Sequence, residues 1–184
     1  MKLELETERL KLRPFEESDA EAMYSAWASD PEVTKYLTWN AHESVDLTRA
    51  VVMQWVSQYE KPERINCAIE LKETGELIGG IDVVGYLGGP EGTPVIGYCM
   101  TRKYWNRGIM TEACRCLLRY LFSRGYSEVR IDAAVENAGS NRVIQKCGGV
   151  LTATEEEFVP AKNRTVLLNR YTVRAPQTNK GADR

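Results

Sequence analysis

The stretch Tyr104-Trp105-Asn106-Arg107-Gly108-Ile109-Met110-Thr111-Glu112-Ala113 joins a β-rich segment to an amphipathic one, and its chemistry is that of an anion site. A turn that feeds directly into a helix leaves the first backbone N–H groups of that helix without partners. Those donors, together with the positive end of the helix dipole, attract negative charge. Gly108 carries no Cβ, so a phosphate can approach the backbone closely. The dipole contributes only about 0.3–1 kcal/mol, up to about 2 when partly buried, so holding a diphosphate needs several N–H bonds together. The pattern is neither GxGxxG nor GK[ST], which sets aside the dinucleotide fingerprint and the P-loop.

The elements that position this turn follow from periodicity. Residues 8–15 (ERLKLRPF) alternate polar and apolar side chains, which predicts a strand. Ser18 and Asp19 supply capping side chains for a helix over 20–28, and Asp30-Pro31 ends it and starts a second short helix. Residues 36–43 read as a loop, followed by a helix over 45–59 with Val45, Val52, Trp55 and Val56 on one stripe. Strands are expected at 66–72, 77–86 and 94–100, the first two joined by a tight turn at Glu73-Thr74-Gly75-Glu76. The glycine- and proline-rich residues 85–94 are expected to form a connecting loop and a candidate lid or substrate wall.

After the turn, Ala113, Cys114, Leu117, Leu118, Leu121 and Phe122 recur at helical spacing over 111–123, and Gly125 ends that helix. A strand at 129–135, a short helix at 140–147 stopped by Gly148-Gly149, and a hairpin of 150–158 with 165–173 complete the order. No repeat and no linker divides the chain, so residues 1–174 are expected to form one domain of the α+β class, helices packed on one sheet. The polar residues 175–184 are expected to be a disordered tail.

Composition narrows the function classes. The chain has 184 residues, long enough for a substantial core, and carries a net charge of −2, which argues against nonspecific nucleic-acid binding. No apolar run approaches the roughly 20 residues that span a bilayer. The opening MKLELETERLKLR lacks the pattern of a signal peptide, so a cytoplasmic location and no membrane partner are expected. The five cysteines form no CxxC pair and the chain has one histidine, so packing cysteines and no metal site are expected.

Two motifs together carry a resemblance. The decapeptide at 104–113 resembles the cofactor-binding motif of the GNAT superfamily of N-acetyltransferases, in the variant of its ribosomal-protein N-terminal (Rim-type) group. Downstream, Asn137-Ala138-Gly139-Ser140-Asn141-Arg142-Val143-Ile144-Gln145-Lys146-Cys147-Gly148 is similar to that group's second motif. Glu8-Arg9-Leu10-x-Leu12-Arg13 and Ile96-Gly97-Tyr98 add to the agreement, which spans about residues 7 to 173.

The resemblance implies a mixed, mostly antiparallel sheet with helices on both faces and a splay between the fourth and fifth strands. It implies acetyl-CoA as cosubstrate, no metal, and direct transfer of acetyl to an amine without a covalent enzyme intermediate. The pantetheine arm would pair with the strand ending at Met100, and Arg107, Gly108, Ile109, Met110 and Thr111 would hold the pyrophosphate. Asn137 and Ser140 would line the far wall, and Arg142 and Lys146 would reach the nucleotide phosphate; for each of these two, a solvated helix face is the plainer alternative. The sequence departs from the broad superfamily at Trp105, at Met110 and at Ile144, where a proton-donating tyrosine is common. In Rim-type enzymes a serine takes that role, which assigns the acid to Ser140, a residue that also suits a helix cap.

For the base the sequence offers several candidates. The strand before the turn, Val95 to Met100, contains no acid. The Rim-type pattern points to Glu157 before Phe158, after a two-residue gap, although 155–157 also reads as an acidic rim. Asp82 and His42 are further candidates; with Trp39 they are expected on the acceptor side. A weakly based site suits α-amines: deprotonating a lysine-like amine at pH 7 costs about 4.6 kcal/mol, an α-amine only about 1–1.4. The expected acceptor is therefore a peptide or protein N-terminus. The alternatives are a small-molecule amine or a non-catalytic acyl-CoA-binding module, and the assembly is expected to be a monomer or homodimer.

Overall fold

In the computed structural model, which describes residues 3–61, 64–89 and 92–176, alternating burial builds the strands and heptad-like stripes build the helices that cover them. β1 (Leu5–Glu6) and β2 (Leu10–Pro14) form a hairpin at one edge; Leu10 and Leu12 face inward at 0% exposure. A helix follows as α1 (Ala20–Met23) with a π-helical continuation through Tyr24–Ala28, then α2 (Pro31–Thr34) and α3 (Val45–Ser57). Asp30 caps α2 by accepting from the Glu32 N–H, with Pro31 in its first turn, and Ser44 caps α3.

The sheet continues with β3 (Asn66–Leu71), β4 (Leu77–Leu87) and β5 (Thr93–Met100), then α4 (Ile109–Ser123), β6 (Glu128–Ala134), α5 (Ala138–Lys146), β7 (Val150–Val159) and β8 (Arg164–Arg174). Its eight strands lie in the order β1-β2-β3-β4-β5-β6-β8-β7. Every neighbouring pair is antiparallel except β5–β6, whose paired residues are only Val95↔Arg130 and Ile96↔Ile131. Beyond Ile96 and Ile131 the two strands run on without pairing, so the sheet is parted there. With β1 counted as an extra edge strand, this is the expected splay.

Two cores lie on opposite faces. One joins α4 and α5 to Ile69, Ile81, Val83, Ile96 and Ile131, with Leu117 and Leu121 fully buried. Burying one such side chain contributes roughly 1.5–3 kcal/mol. The other gathers Phe15, Met23, Trp27, Val33 and Val52 over Ala68, with Trp39, Trp55 and Cys99 packed against it.

Beyond shifts of one or two residues at several ends, three differences from the sequence reading bear on the site. α4 starts at Ile109 rather than at 111, because Gly108 caps it in the left-handed region (φ 74°). α5 starts at Ala138 rather than at 140, because the Asn137 side chain caps it by accepting from the Ser140 N–H. The stretch 85–94 is largely strand: Gly85↔Val95, Tyr86↔Pro94 and Leu87↔Thr93 extend the β4–β5 hairpin past a bulge near Val83. Residues 90 and 91 lie outside the described residues, and of 177–184 nothing is described.

Candidate active site

The turn after β5 is held by its own neighbours. Trp105 Nε1 donates to the carbonyl of Met100 at 2.8 Å, tying the turn to the strand end. Asn106 (φ 61°) and Gly108 (φ 74°) both adopt left-handed backbone, which bends the chain sharply into the helix. Asparagine tolerates that region and glycine enters it freely. Glu112 makes the first intrahelical bond, its N–H donating to the Gly108 carbonyl at 3.0 Å, so the amides of Ile109, Met110 and Thr111 start the helix without carbonyl partners.

Arg9, in the β1–β2 turn, clamps this arrangement from outside. Its guanidinium donates to Glu112 Oε2 at 2.7 Å and to the Arg107 carbonyl at 3.2 Å. Burial raises the Glu112 carboxyl, yet hydrogen bonds from Thr7 and Arg9 outweigh it and hold the pKa below the ordinary value. The clamp escaped the sequence reading because its partners lie 103 residues apart along the chain.

A cavity of about 1120 Å³ runs from this turn through the parted sheet. That is at the large end of the roughly 300–1,000 Å³ typical of ligand pockets. Met100, Gly108, Ile109, Met110, Thr111, Asn137, Ser140, Arg142 and Lys146 line its α4–α5 side, as do Trp39, Asp82 and Glu157 elsewhere on its wall. Arg142 and Lys146 are exposed at its mouth.

Two expected residues do not line it. The Arg107 guanidinium lies over the Tyr104 ring at 5.3 Å. His42 packs against Trp39 with ring centroids 5.1 Å apart, its Nδ1 2.8 Å from Thr48 Oγ1, and burial lowers its pKa. Its place is that of a loop anchor beside the acceptor wall. The described residues of the β4–β5 tip, Gly88, Gly89 and Gly92, do not line the cavity either, so the expected lid is absent among them.

On the α5 side, Ser140 Oγ sits 2.9 Å from Tyr98 Oη. Burial pushes the Tyr98 phenol far above its usual range, so it stays protonated and serves as a hydrogen-bonding partner rather than an acid. Asn141 fixes the start of α5: it donates to the carbonyls of Ala134 and Asn137 and accepts from Tyr171 and Asn169. Sequence offers no role for Tyr98 or Asn141 in the site, since the fold alone brings Tyr98 to Ser140 and Tyr171 and Asn169 to Asn141.

The acidic candidates are in unlike settings. Glu157 on β7 accepts from Arg170 Nη2 at 2.6 Å, and Arg170 also holds Asp132 at 2.7 Å. Asp82 on β4 lies on the opposite sheet face from Ser140, beside Gly97 and Asn66, with its pKa pushed up by burial to about 7 despite Arg64 nearby.

A strand-turn-helix junction beside a gap between parallel strands, with a cavity lined from both sheet faces, matches what the resemblance implies for an acetyl-CoA-dependent acetyltransferase. Comparison with known proteins agrees. Residues 9–150 match the acetyltransferase (GNAT) domain, and the chain belongs to that family. It is 32% identical over 167 residues to the N-acetyltransferase p20 of Bacillus licheniformis, covering 88% of this chain and 90% of that protein. A GNAT-family acetyltransferase structure from Bacillus anthracis superposes with a TM-score of 0.81 at 27% identity, covering 94% and 98% of the two chains. An acetyltransferase from Salmonella typhimurium that modifies the N-terminal serine of 50S subunit protein L7/L12 shares the fold with a TM-score of 0.79 at 19% identity, covering 92% and 97%. The chain is thus an acetyl-CoA-dependent N-acetyltransferase, transferring acetyl to an amine. No helix among the described residues is long and apolar enough to cross a membrane.

Proposed function

We propose that this enzyme acetylates the α-amine of a peptide or protein N-terminus. The reading is supported above all by the parting of β5 from β6 beyond Ile96 and Ile131, which connects the anion turn on one sheet face with an aromatic-walled chamber on the other. In this reading the free amides of residues 109–111 hold the pyrophosphate, with Arg142 and Lys146 at the nucleotide end. The unpaired backbone beyond Ile96 receives the pantetheine arm, so the thioester comes to rest in the gap.

Ser140 then faces the departing sulfur and gives it a proton, while Tyr98 hydrogen-bonds the serine oxygen from behind. The amine enters from the α1–α3 side, past Trp39 and the α2 loop. That loop is braced by Asn40 Nδ2 donating to the Ala161 carbonyl at 2.6 Å and by Arg164 donating to the Lys35 carbonyl at 2.9 Å. An acid with its pKa near 7 can deprotonate an α-amine far more readily than a lysine side chain.

The test is thiol release with a panel of acceptors at pH 7, alongside a CoA titration. Peptides with free α-amines are expected to turn over fastest. Faster reaction of N-blocked, lysine-containing peptides would overturn the acceptor assignment, and preferred turnover of free small amines would move it to a small-molecule acceptor.

A further inference from the structure

We infer that Asp82 is the general base, a role for which the motif pattern favoured Glu157. The inference rests on the acetyl-transfer reading above and specifies the chemistry of that same cavity. Three adjacent strands place Asn66, Asp82 and Gly97 in one cross-strand row, through the pairs Asn66↔Asp82 and Asp82↔Gly97. The row lies on the α1–α3 face, one residue past the last β5–β6 pair at Ile96. Asp82 is therefore at the lip of the gap, on the side from which the amine arrives, whereas Ser140 is on the side toward which the sulfur leaves.

Glycine at 97 keeps this lip open. A Cβ built there would meet Val84 Cγ1 at 2.7 Å and Asp82 Oδ1 at 3.3 Å. Asn66, 4% exposed, donates through Nδ2 to Asp82 Oδ2 at 3.4 Å, while its own Oδ1 has no hydrogen-bond partner among the described residues. An amide beside the carboxyl can donate to the carboxylate or, turned over, accept from the acid. Asn66 is thus suited to both protonation states and is a positioning residue for Asp82.

The groups around Asp82 favour a proton-accepting carboxylate over an ion pair. Cys99 on β5 shares its face and Cys67 on β3 lies on the other, both with thiols raised to about 12 and so uncharged at neutral pH. Arg64, which precedes β3, is the opposing charge near Asp82. The Tyr59 hydroxyl at the end of α3 is engaged with the Asn66 carbonyl at 3.0 Å. Elsewhere on the cavity wall are Glu32 from α2 and Glu157 from β7, the latter tied to Arg170. A neighbouring guanidinium holds a proton-free carboxylate in place and weakens it as a base; Asp82 accepts no such bond among the described residues.

The step balances as follows. The amine nitrogen forms its bond to the acetyl carbonyl carbon and gives one proton to Asp82. The carbon–sulfur bond breaks, its electron pair stays on sulfur, and sulfur takes a proton from Ser140. Asp82 then releases its proton to solvent and Ser140 regains one. Amide and free thiol are the products.

The isosteric Asp82→Asn variant tests this in the full chain. Expected are a kcat lower by about 10²–10⁴-fold and loss of the acidic limb of the kcat/KM profile near pH 7. CoA affinity should stay within about twofold of wild type, since no cofactor contact is removed. An alkoxyamine acceptor, already neutral at pH 7, should suffer a smaller loss than a peptide α-amine. Wild-type-like kcat with the acidic limb intact would overturn the role of Asp82, as would loss of that limb in Glu157→Gln instead. If the wild-type chain takes up CoA and turns over amines, such a result sinks only the base assignment. A wild-type chain that takes up no CoA, or acetylates no amine, sinks both readings.

Discussion

In the proposed reading, the two faces of the sheet carry halves of one reaction, and those halves are built in different ways. The cofactor half is local: β5, its turn and the start of α4 form one continuous stretch, and its key donors are backbone amides whose direction follows from Gly108 and the helix. The acceptor half is assembled from distant pieces, with Phe15, Trp27, Trp39, Trp55 and Asp82 arriving from five separate segments. The contrast teaches that binding a diphosphate needs a backbone shape, which a short motif can specify. Deprotonating an amine needs a particular side chain in a particular dielectric, which only packing can supply.

Substitutions on the two faces should therefore separate cleanly in kinetics. The largest effect among cofactor-face residues is expected for Ser140→Ala, a fall in kcat of about 10²–10⁴-fold with CoA affinity retained. An unchanged kcat would remove its role as acid. Next, Gly108→Val forces a β-branched residue into left-handed backbone, which costs roughly 1–3 kcal/mol of strain. The expected readouts are a lower melting temperature and CoA binding weakened at least about tenfold, the counterpart of about 1.4 kcal/mol. CoA affinity equal to wild type would mean that the turn does not hold the diphosphate.

On the acceptor face, the raised pKa of Asp82 has a consequence for stability. The folded chain keeps a proton up to about pH 7 that the unfolded chain releases near the ordinary value of 3.8, so this group's contribution falls as pH rises through that window. Asp82→Asn lacks the effect. Its stability relative to wild type should climb by up to about 1.4 kcal/mol per pH unit between pH 5 and 7 and level off above. Urea titrations at pH 5, 6, 7 and 8 read this directly, and parallel curves for the two proteins would contradict it. The smallest change is expected for Glu157→Gln, a drop in kcat of no more than about fivefold, the scale of an exposed ion pair. A larger drop would join the rim to the chemistry and blur the division between the faces.

Much of this was legible along the chain. The Trp105–Thr111 turn and the α4 stripe depend on contacts a few residues apart, so their types and spacing suffice, whereas the cap of α5 falls to Asn137 and not to Ser140. The splay followed from resemblance, and the register that produces it is not a local property: β5 and β6 share only Val95↔Arg130 and Ile96↔Ile131 before they part. The 85–94 stretch was misread because glycine and proline signal a loop, whereas Tyr86↔Pro94 and its neighbours are held in strand by pairing across the hairpin.

What the sequence alone determined is the backbone-driven half: that a turn opens directly into an amphipathic helix after β5, and why glycine stands at 108, where the backbone is left-handed. Tertiary structure decided the rest. Arg9 became a clamp only when the edge hairpin reached α4, and Asn141 a hub only when β6, α5 and β8 met. Glu157 and Asp82 are both acids in β-rich segments; one was given a guanidinium and the other a buried amide, that of Asn66. A carboxyl's proton affinity is set by the charges and the dielectric around it, and those are properties of the assembled fold.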